Sequence, residues 1–398
     1  MNKFIYISVG VVGAILLVLG AILHWAVIPK IIHNKVIDQM QLRNGTEAFE
    51  RFSKLPVPLQ WKMTFFEISN PEEFDKNKDV MKLKFNEKGP YVYDEHREKY
   101  EIEFSKDGFN VSYKEKRDYV FNAKLSGKGL SPDDSLKLVS PVFGIVSQLL
   151  SAYTDPRYMD ASIKKRIQSI ATDVVVKEIA FGTNDYLLSK SFFNDSTAPP
   201  LVQVVDTGKK DISQLFHFLK YGDSENGKQK VWNNVGPCND IKGTDAVQFK
   251  PFLTEQDHLY AFEPMICKSF KLVHDPKVMQ STSIKGIDTI RYYATDDNFA
   301  RIPENQCHCT EKNFDLCPAD LLNLNNCGVA KGMMDMLVSS PYFQPFPENL
   351  RNTTIHAPLP MTYENYGTYV DVEPLTGVVL NARKRLQLYV QLKRGSIK

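Results

Sequence analysis

Residues 4–28 read FIYISVGVVGAILLVLGAILHWAVI, 25 consecutive positions without a formally charged side chain. At about 1.5 Å per residue, a helix of this length spans the roughly 30 Å hydrocarbon core of a bilayer with some tilt. A cleaved signal peptide would have an apolar region of only about 7–15 residues that ends at a small-residue cleavage site. The longer run here ends with Trp25 at an interface position ahead of Pro29, and it therefore predicts a membrane anchor.

Two opposing signals bear on the orientation of the anchor. Only Lys3 precedes the span, whereas two lysines and a histidine closely follow it, so the positive-inside rule alone would favour a cytosolic C-terminal side. Long domains translocate largely regardless of charge, and the cysteines and glycosylation sequons described below indicate the opposite side. We therefore expect three regions: a cytoplasmic tail at residues 1–3, a transmembrane helix at 4–28 and one extracellular or lumenal domain at 29–398.

Small residues cluster on one side of the anchor, within roughly one third of the helical circumference. Such a face lets a second helix approach closely, which would allow a homo-oligomer to form through the transmembrane helix. Glycine is also simply common in membrane helices, so the pattern leaves both interpretations open. The residues are Gly10, Gly13, Ala14, Gly20 and Ala21.

The composition restricts the classes of function. With 398 residues, 43% of them apolar, the chain can bury a sizeable core, and its 49 basic and 47 acidic residues leave a formal charge of +2. This balance, without a basic and aromatic surface pattern, gives no reason to expect a nucleic acid partner. The sequence contains no nucleophile elbow, zinc-protease motif, phosphate-binding loop or dinucleotide fingerprint. We expect no enzyme activity, no cofactor and no metal site.

All six cysteines fall between Cys238 and Cys327. This clustering predicts a disulfide framework in an oxidising compartment. The alternative is a zinc site around Cys307-His308-Cys309, Cys317 and Cys327. Zinc sites usually contain ligand pairs of the C-x₂₋₄-C type, which the sequence lacks. Four N-glycosylation sequons lie on the same side of the span, at Asn44, Asn110, Asn194 and Asn352.

The spacing of apolar residues changes along the chain. From Ile31 to Met40 the spacing is helical and predicts a stalk that continues the anchor. From Trp61 onward, alternation predicts strands, two of which meet at the hairpin-like turn Lys106-Asp107-Gly108. The residues from 386 to 392 alternate again, and a chain that ends just past such a strand looks cut.

One segment departs from the strand pattern. Ser131-Pro132-Asp133-Asp134 predicts a helix start, and apolar residues from 163 to 174 predict one face of an amphipathic helix that stops at Gly182. Its other face carries adjacent cations, which form either an ordinary solvated surface or a patch that attracts anionic ligands. A second basic run, Arg383-Lys384-Arg385, is better explained as the entry to a strand. The apolar face comprises Ile163, Ile167, Ile170, Ala171 and Val174, and the basic cluster comprises Lys164, Lys165 and Arg166.

Four blocks of sequence carry a resemblance that covers nearly the whole chain. They are Glu87-Lys-Gly-Pro-Tyr-Val-Tyr93, the run from Cys238-Asn-Asp-Ile-Lys-Gly-Thr-Asp-Ala246 to Pro251-Phe252, Cys267-Lys-Ser-Phe270 with Cys307-His-Cys-Thr-Glu-Lys312, and Thr368-Tyr-Val-Asp-Val-Glu-Pro-Leu-Thr-Gly377 with Lys384-Arg-Leu-Gln387. In residue types, order and cysteines, these blocks are similar to those of the class B scavenger receptors.

The resemblance implies a β-rich α+β fold: an antiparallel β-barrel ectodomain with a lipid tunnel and an apical helical bundle, preceded by one N-terminal transmembrane helix. By position, residues 161–182 would belong to that bundle, so the basic cluster would lie where ligands of the family often dock. The resemblance also implies the disulfide pairing Cys238–Cys307, Cys267–Cys327 and Cys309–Cys317.

The resemblance further implies a membrane receptor that binds and transfers lipids, fatty acids, sterols or carotenoids, or modified lipoproteins with anionic surfaces. The expected location is the plasma membrane or, alternatively, a lysosomal or endosomal membrane. The alternative function is a trafficking or recognition receptor for a protein or an apoptotic cell, without lipid transport. Two departures from the family pattern are visible. The chain ends before the second transmembrane helix that members carry, and Tyr366 stands where members usually have a histidine.

Overall fold

The computed structural model describes residues 2–77, 83–140, 143, 161, 165, 168–181, 200–224, 227–229, 231–232, 236–309, 317, 319–324, 327, 336–342 and 362–390. Within these ranges the α-helices are α1 Asn2–Ile22, α2 Ile28–Met40, α3 Glu47–Ser53, α4 Pro71–Asn77, α5 Val176–Phe181 and α6 Tyr363–Tyr366. A π-helical turn, Leu23–Val27, joins α1 to α2, and short 3₁₀ turns occur at Ile212–Gln214, Gly236–Asn239, Pro264–Ile266, Asp296–Asn298 and Pro303–His308.

The strands form antiparallel sheets. They are β1 Leu59–Ile68, β2 Phe85–Phe104, β3 Asn110–Phe121, β4 Ser135–Val139, β5 Ala171–Val175, β6 Gln203–Asp206, β7 Phe218–Tyr221, β8 Leu259–Glu263, β9 Lys268–Val273, β10 Ser283–Ile284, β11 Ile287–Asp288, β12 Ile290–Ala294, β13 Leu322–Asn323, β14 Met336–Ser339, β15 Tyr369–Val372, β16 Val379–Arg383 and β17 Gln387–Val390.

The N-terminal helix runs continuously through α1, the π-helical turn and α2. Its stretch from Ile7 to Met40 has the length and mean hydropathy, 2.6 in its most apolar window, of a membrane span. Apolar side chains such as Leu17 and Trp25 are almost fully exposed at 78% and 79%. Only near its end does the helix enter the core, through the buried side chains of Val36 and Met40. This confirms the predicted helical stalk.

The N-terminal sheet has the strand order β1-β2-β3-β6-β7. Its centre is the long hairpin of β2 and β3, which confirms the strands predicted from alternation on either side of residues 106–108. The Asp107 carboxylate closes the turn by accepting hydrogen bonds from Ser105 Oγ at 2.6 Å and from the Phe109 amide at 3.0 Å. The predicted turn residues therefore have a specific role, because they satisfy the polar groups that the reversal leaves open.

The C-terminal sheet has the strand order β16-β15-β12-β9-β8 and packs on the largest apolar core. Tyr292 and Val372 of this core are fully buried. A smaller sheet, β13-β14-β17, contributes to the same core through Val338. Three disulfides cross-link this region: Cys238–Cys307, Cys267–Cys327 and Cys309–Cys317, with Cα–Cα distances of 6.2, 5.7 and 5.8 Å. This is the pairing that the resemblance implies.

The two large sheets meet edge to edge through a short bridging segment. The Phe218 amide of β7 donates a hydrogen bond to the Gly243 carbonyl at 2.9 Å, and the Phe262 amide of β8 donates to the Thr244 carbonyl at 2.8 Å. Gly243 has φ +81°, and a Cβ atom there would lie 1.7 Å from the Tyr260 carbonyl oxygen. Only glycine fits this junction, which explains its place in the motif that begins at Cys238.

The predicted amphipathic helix at residues 163–174 is wrong in its second half. Ala171 and Val174 lie on β5, which pairs with β4 across the register Leu136–Val174. Ser131–Asp134 likewise forms a turn into β4, in which the Asp134 carboxylate accepts from the Ser131 amide, and is not a helix start. Burial of Ile170, Val174 and Val176 at even spacing is a strand pattern, and β-branched side chains favour it. Most of residues 161–167 lie outside the described residues.

Candidate ligand-binding site on the inner face of the N-terminal sheet

Alternate residues of β1, β2 and β3 form one face of the N-terminal sheet that is turned towards the interior. Paired residues in antiparallel strands share a face, as for Trp61 with Tyr93, Glu95 with Tyr119, and Lys99 with Glu115. We call this surface the inner face. Its residues are Trp61, Met63, Phe65, Tyr91, Tyr93, Glu95, Arg97, Lys99, Tyr113, Glu115, Arg117, Tyr119 and Phe121.

The end of the inner face farthest from α2 is aromatic. Tyr91 is fully buried and Tyr93 nearly so, and they pack with Leu136 of β4 and Val176 of α5. Phe121 meets Tyr93 edge to face, with 5.3 Å between the ring centroids. The side chains at the edge of this cluster are only partly buried. This end of the inner face therefore has a buried base and ring surfaces that a ligand could reach.

The opposite end of the inner face is apolar and lies against the stalk. Tyr113 packs in one cluster with Val36 and Met40 of α2. Phe52 of α3 completes it, with its ring 5.1 Å from the Tyr113 ring and perpendicular to it. The helix that emerges from the membrane span therefore ends directly against this end of the inner face.

Between the two apolar ends lies a band of charge that we call the charged belt. Arg97 donates from Nε and Nη2 to the two carboxylate oxygens of Glu95 at 3.1 and 3.3 Å. Arg117 donates from Nε to Glu115 at 2.7 Å, and its Nη1 is 3.6 Å from Glu95. Lys99 Nζ lies 3.5 Å from Glu115. The five residues thus form one connected network of three cations and two carboxylates.

The members of the charged belt differ in their access to solvent. The side chains of Glu115 and Lys99 are only 4% and 5% exposed, whereas that of Arg117 is 33% exposed. Lys99 also lies over the Phe52 ring, with Nζ 4.7 Å from the centroid, in a cation–π contact that offsets part of its desolvation. Arg117 is the member of the belt whose charge has the clearest route to an incoming ligand.

The network keeps Glu115 and Arg117 ionised. Burial alone would raise the pKa of the Glu115 carboxyl, but the charges of Arg117, Lys99 and Arg97 outweigh burial and lower this pKa. For Arg117, burial opposes the charged guanidinium, but Glu115 and Glu95 outweigh it and hold the pKa above its ordinary value. Burial, followed by the charge of Glu95, raises the pKa of the Tyr119 phenol to about 12, so the phenol keeps its proton at neutral pH.

The C-terminal sheet contributes charged neighbours to the belt. Glu263 at the end of β8 is buried and forms an ion pair with Lys384, the middle residue of the second basic run. Burial opposes ionisation of Glu263, but Lys384, and to a smaller extent Arg117, lower the pKa of its carboxyl. Arg385 donates from Nη1 to the Gly367 carbonyl at 2.9 Å. Two residues of this run thus make structural contacts beside β17.

The predicted ligand and glycan residues are only partly within the described residues. Lys165 is helical and exposed, while Lys164 and Arg166 of the basic cluster lie outside the described residues. Asn44 is exposed in the turn before α3, which suits a glycan, and Asn110 is half-buried at the start of β3. Asn194 and Asn352 lie outside the described residues.

One histidine among the disulfides is unusually enclosed. His308, between Cys307 and Cys309, is 4% exposed and its ring centroid lies 4.2 Å from that of Trp232. Among the described residues its Nδ1 has no hydrogen-bond partner. Burial and then the charge of Lys268 lower its pKa to about 3, so the imidazole is neutral at physiological pH. With all six cysteines in disulfides, no thiolate is present for the alternative zinc site.

The charged belt was missed at the level of sequence, although a signal exists. Glu95, Arg97 and Lys99 are two residues apart, as are Glu115 and Arg117, and a spacing of two on strands puts the side chains on one face. Charges at every second position normally indicate a face towards solvent. Here the charged side chains lie on the same face as the buried aromatic side chains of Tyr93 and Tyr113, and this shared face is turned towards the interior.

An exposed N-terminal helix of membrane-spanning type, followed by a disulfide-bonded, strand-rich domain, is typical of a membrane-anchored protein with a large domain on one side of the membrane. Sequence comparison makes this specific, because residues 11–397 match the CD36 family. The chain therefore belongs to the CD36 family, the class B scavenger receptors. This confirms the family resemblance over nearly the whole chain, and it supports a membrane receptor role with lipid-type ligands, as is typical of the family.

Among its relatives are sensory neuron membrane proteins of moths. The sequence is 27% identical to sensory neuron membrane protein 1 of Bombyx mori over 425 aligned positions, which cover 96% of this chain and 77% of the relative. It is 26% identical to that of Manduca sexta, covering 98% and 78%. It is 28% identical to that of Plutella xylostella, again covering 98% and 78%.

Proposed function

We propose that this receptor binds amphiphilic lipids along the inner face of the N-terminal sheet and passes them through a hydrophobic tunnel towards the membrane. The observation that carries the proposal is the charged belt between two apolar ends. An acyl chain fits an aromatic and aliphatic surface, while an anionic head group requires a cation that is desolvated but reachable. Arg117 meets that requirement, because it is one-third exposed within the belt.

The charge balance of the belt favours an anionic head group. Its three cations exceed its two carboxylates by one, so a ligand carboxylate would complete the pairing instead of adding an unpaired charge. A transfer towards the membrane is supported by the apolar end at Tyr113, which α2 contacts as it leaves the membrane span. Fatty acids are the simplest ligands of this kind. Sterols and carotenoids would use the apolar ends without the belt.

Capture at the surface is a separate step of the proposal. The basic cluster of Lys164, Lys165 and Arg166 would attract oxidised or acetylated lipoproteins before any lipid enters the interior. Exposed cations steer association over a Debye length of about 8 Å at physiological ionic strength. Replacing all three with Gln should slow association and reduce its salt dependence. Equal rates and equal salt slopes for both proteins would return the cluster to an ordinary solvated surface.

The proposed head-group site is tested with Arg117→Gln in the full chain. Binding of a long-chain fatty acid should weaken about tenfold, the size of one charge-assisted hydrogen bond, while binding of its methyl ester should change little. The matched control is Lys116→Gln, because Lys116 precedes Arg117 on β3 and its side chain is 66% exposed. Equal losses for the acid and the ester, or equal losses in both variants, would contradict a head-group role for Arg117.

The alternative proposal is a trafficking or recognition receptor that binds a protein or an apoptotic cell and transports no lipid. Mass spectrometry of ligands retained by the natively purified protein separates the two. Co-purifying lipid at a defined ratio to protein supports lipid binding, whereas protein that carries no lipid supports the alternative.

We further propose that residues 29–398 face the exterior at the plasma membrane, or the lumen of lysosomes or endosomes. Protease digestion of intact cells would remove an epitope after residue 398 only in the first location.

A further inference from the structure

The stalk contacts a short apolar tip of the C-terminal half close to the membrane span. The His33 ring on α2 stacks on the Phe252 ring, with 4.2 Å between the centroids and 24° between the planes. The segment of Phe252 is joined to the turn at Leu375, because the Phe252 amide donates to the Leu375 carbonyl at 3.2 Å. We call Phe252 and Leu375 together the apolar tip.

The height of the apolar tip above the membrane follows from helix geometry. His33 is five residues beyond Ile28, the last residue of the predicted span, and α2 contains both. At about 1.5 Å per residue, His33 lies roughly 7.5 Å along the helix from the edge of the hydrocarbon. The head-group layer on each side of a bilayer is about 5–7.5 Å thick. The Phe252 ring, which stacks on His33, is therefore level with the outer part of the lipid head groups.

The turn that presents Leu375 is held firmly. The Glu373 carboxylate accepts hydrogen bonds from the Leu375 amide at 2.9 Å and from the Thr376 amide at 2.8 Å. The Phe249 amide donates to the Gly377 carbonyl and the Leu253 amide to the Pro374 carbonyl, both at 2.8 Å. Yet the Leu375 side chain itself is 42% exposed. A fixed turn that holds an apolar side chain outward is preorganised for a contact outside the domain.

We propose that the apolar tip inserts into the head-group layer of the membrane that the anchor spans. Leucine and aromatic side chains are typical of the interfacial region in peripheral membrane contacts. Ile31 and Ile32 of α2, which are 60% and 45% exposed, lie on the same stretch of helix and enter the same layer. In this arrangement the tip and the stalk both attach the ectodomain to the bilayer surface and restrict its tilt. This inference concerns the membrane contact and is independent of lipid transfer.

The test uses the full chain reconstituted in phosphatidylcholine vesicles whose acyl chains are brominated near the head group. Leu375→Trp, made in a Trp25→Phe background to remove the anchor's own tryptophan, should lose fluorescence in brominated vesicles relative to that background. The matched control is Leu125→Trp, because Leu125 is similarly exposed at 46%. It lies in the turn after β3, at the end of the N-terminal sheet opposite α2, and should not be quenched.

Equal quenching of the two variants, or no quenching of Leu375→Trp, would overturn the proposal. Phe252→Trp reports on the same contact from the other segment, so it decides the question if Leu375→Trp does not fold. Neither readout depends on whether the interior binds a lipid, so a failure here leaves the proposed function standing, and a failure of the proposed function leaves this contact standing.

Discussion

The two large sheets bury charge in different ways. In the C-terminal sheet, Arg291 donates from Nε and Nη2 to the two oxygens of Asp371 at 2.6 and 2.9 Å, and the side chains are 7% and 0% exposed. In the N-terminal sheet, the charged belt includes Arg117, whose side chain is 33% exposed. The first pair is closed to solvent and joins two strands that are neighbours in the register, β12 and β15. The belt spans the inner face and is partly open.

This difference separates a structural arrangement from one that is available to a ligand. The Arg291–Asp371 pair has its remaining positions filled, because Asn381 donates to Asp371 at 2.8 Å and the Tyr369 ring lies 4.2 Å from the guanidinium carbon. The disulfides add covalent closure to the same half of the molecule. The belt lies in the half that has no cysteine. Four experiments test whether the C-terminal sheet supplies stability and the N-terminal sheet supplies the site.

The largest effect is expected for Asp371→Ala. It leaves the buried Arg291 without its bidentate partner, and breaking a buried ion pair from one side costs about 3–5 kcal/mol of unfolding free energy. The matched control is Glu364→Ala, because Glu364 contacts the same guanidinium at 2.9 Å but is 61% exposed. This control should cost less than about 1 kcal/mol. Denaturant unfolding in detergent measures both, and similar losses would show that burial does not set the strength of this pair.

The next largest effect on stability is expected when a disulfide is removed. Removing Cys267–Cys327, which closes a sequence separation of 60 residues, should cost about 4 kcal/mol, and removing Cys309–Cys317, with a separation of 8, about 2.5 kcal/mol. The difference arises because a longer closed loop restricts the unfolded chain more. Paired Cys→Ser variants compared by thermal unfolding give the order directly. An equal or reversed order would mean that native packing around the cysteines, and not chain entropy, controls their contribution.

Acid should destabilise the C-terminal half through His308. Its pKa is about 3 in the folded protein and about 6.5 when unfolded, so between these values only the unfolded chain takes up the proton. Stability is therefore complete above pH 6.5 and falls by about 2 kcal/mol on going to pH 5. His217, whose pKa burial also lowers, acts in the same direction. The contribution of His308 is therefore measured as the difference in the pH dependence of the unfolding free energy between the parent protein and His308→Gln. Equal slopes for the two proteins would exclude a role for His308.

Much of the fold was predictable because alternation and helical spacing are local signals. The stalk, the β2–β3 hairpin and its turn at Asp107 follow from residues close in sequence. The region of residues 163–174 failed because Ile170 and Val174 are four apart, which suits one face of a helix and equally one face of a strand. Pairing with β4, more than thirty residues earlier in the chain, decides between them, and no local pattern reports such a pairing.

The candidate site was less predictable than the fold. The charged belt depends on which face of β2 and β3 turns inward, and the charges alone suggest the wrong one. The junction at Gly243 was visible only as a family motif, since its meaning lies in the approach of the Tyr260 carbonyl. Arg291 and Asp371 are 80 residues apart, and only the latter stood out in the sequence, within the block from Thr368 to Gly377. Contacts between residues far apart in sequence thus decide which buried charges are structural and which belong to the candidate site.

The smallest effect on stability is expected for Lys99→Met in the charged belt. Lys99 is as buried as Arg291, so burial alone would predict a large loss. However, Glu115 keeps Arg117 as its partner at 2.7 Å, so no carboxylate is left alone. Methionine retains the apolar stem over the Phe52 and Tyr113 rings, and its sulfur makes favourable contacts with aromatic side chains. Removing the lysine also removes the cost of desolvating its charge.

These terms nearly cancel, so the unfolding free energy should change by less than about 1 kcal/mol in either direction. Fatty-acid binding should nevertheless weaken, because the belt loses its excess positive charge. The same denaturant unfolding used for Asp371→Ala measures the first quantity, and titration with a fatty acid and its methyl ester measures the second. A loss above about 2 kcal/mol would put the belt in the same structural class as the Arg291–Asp371 pair. Unchanged stability together with weakened binding of the fatty acid would show that the charged belt serves ligand binding and not the stability of the fold.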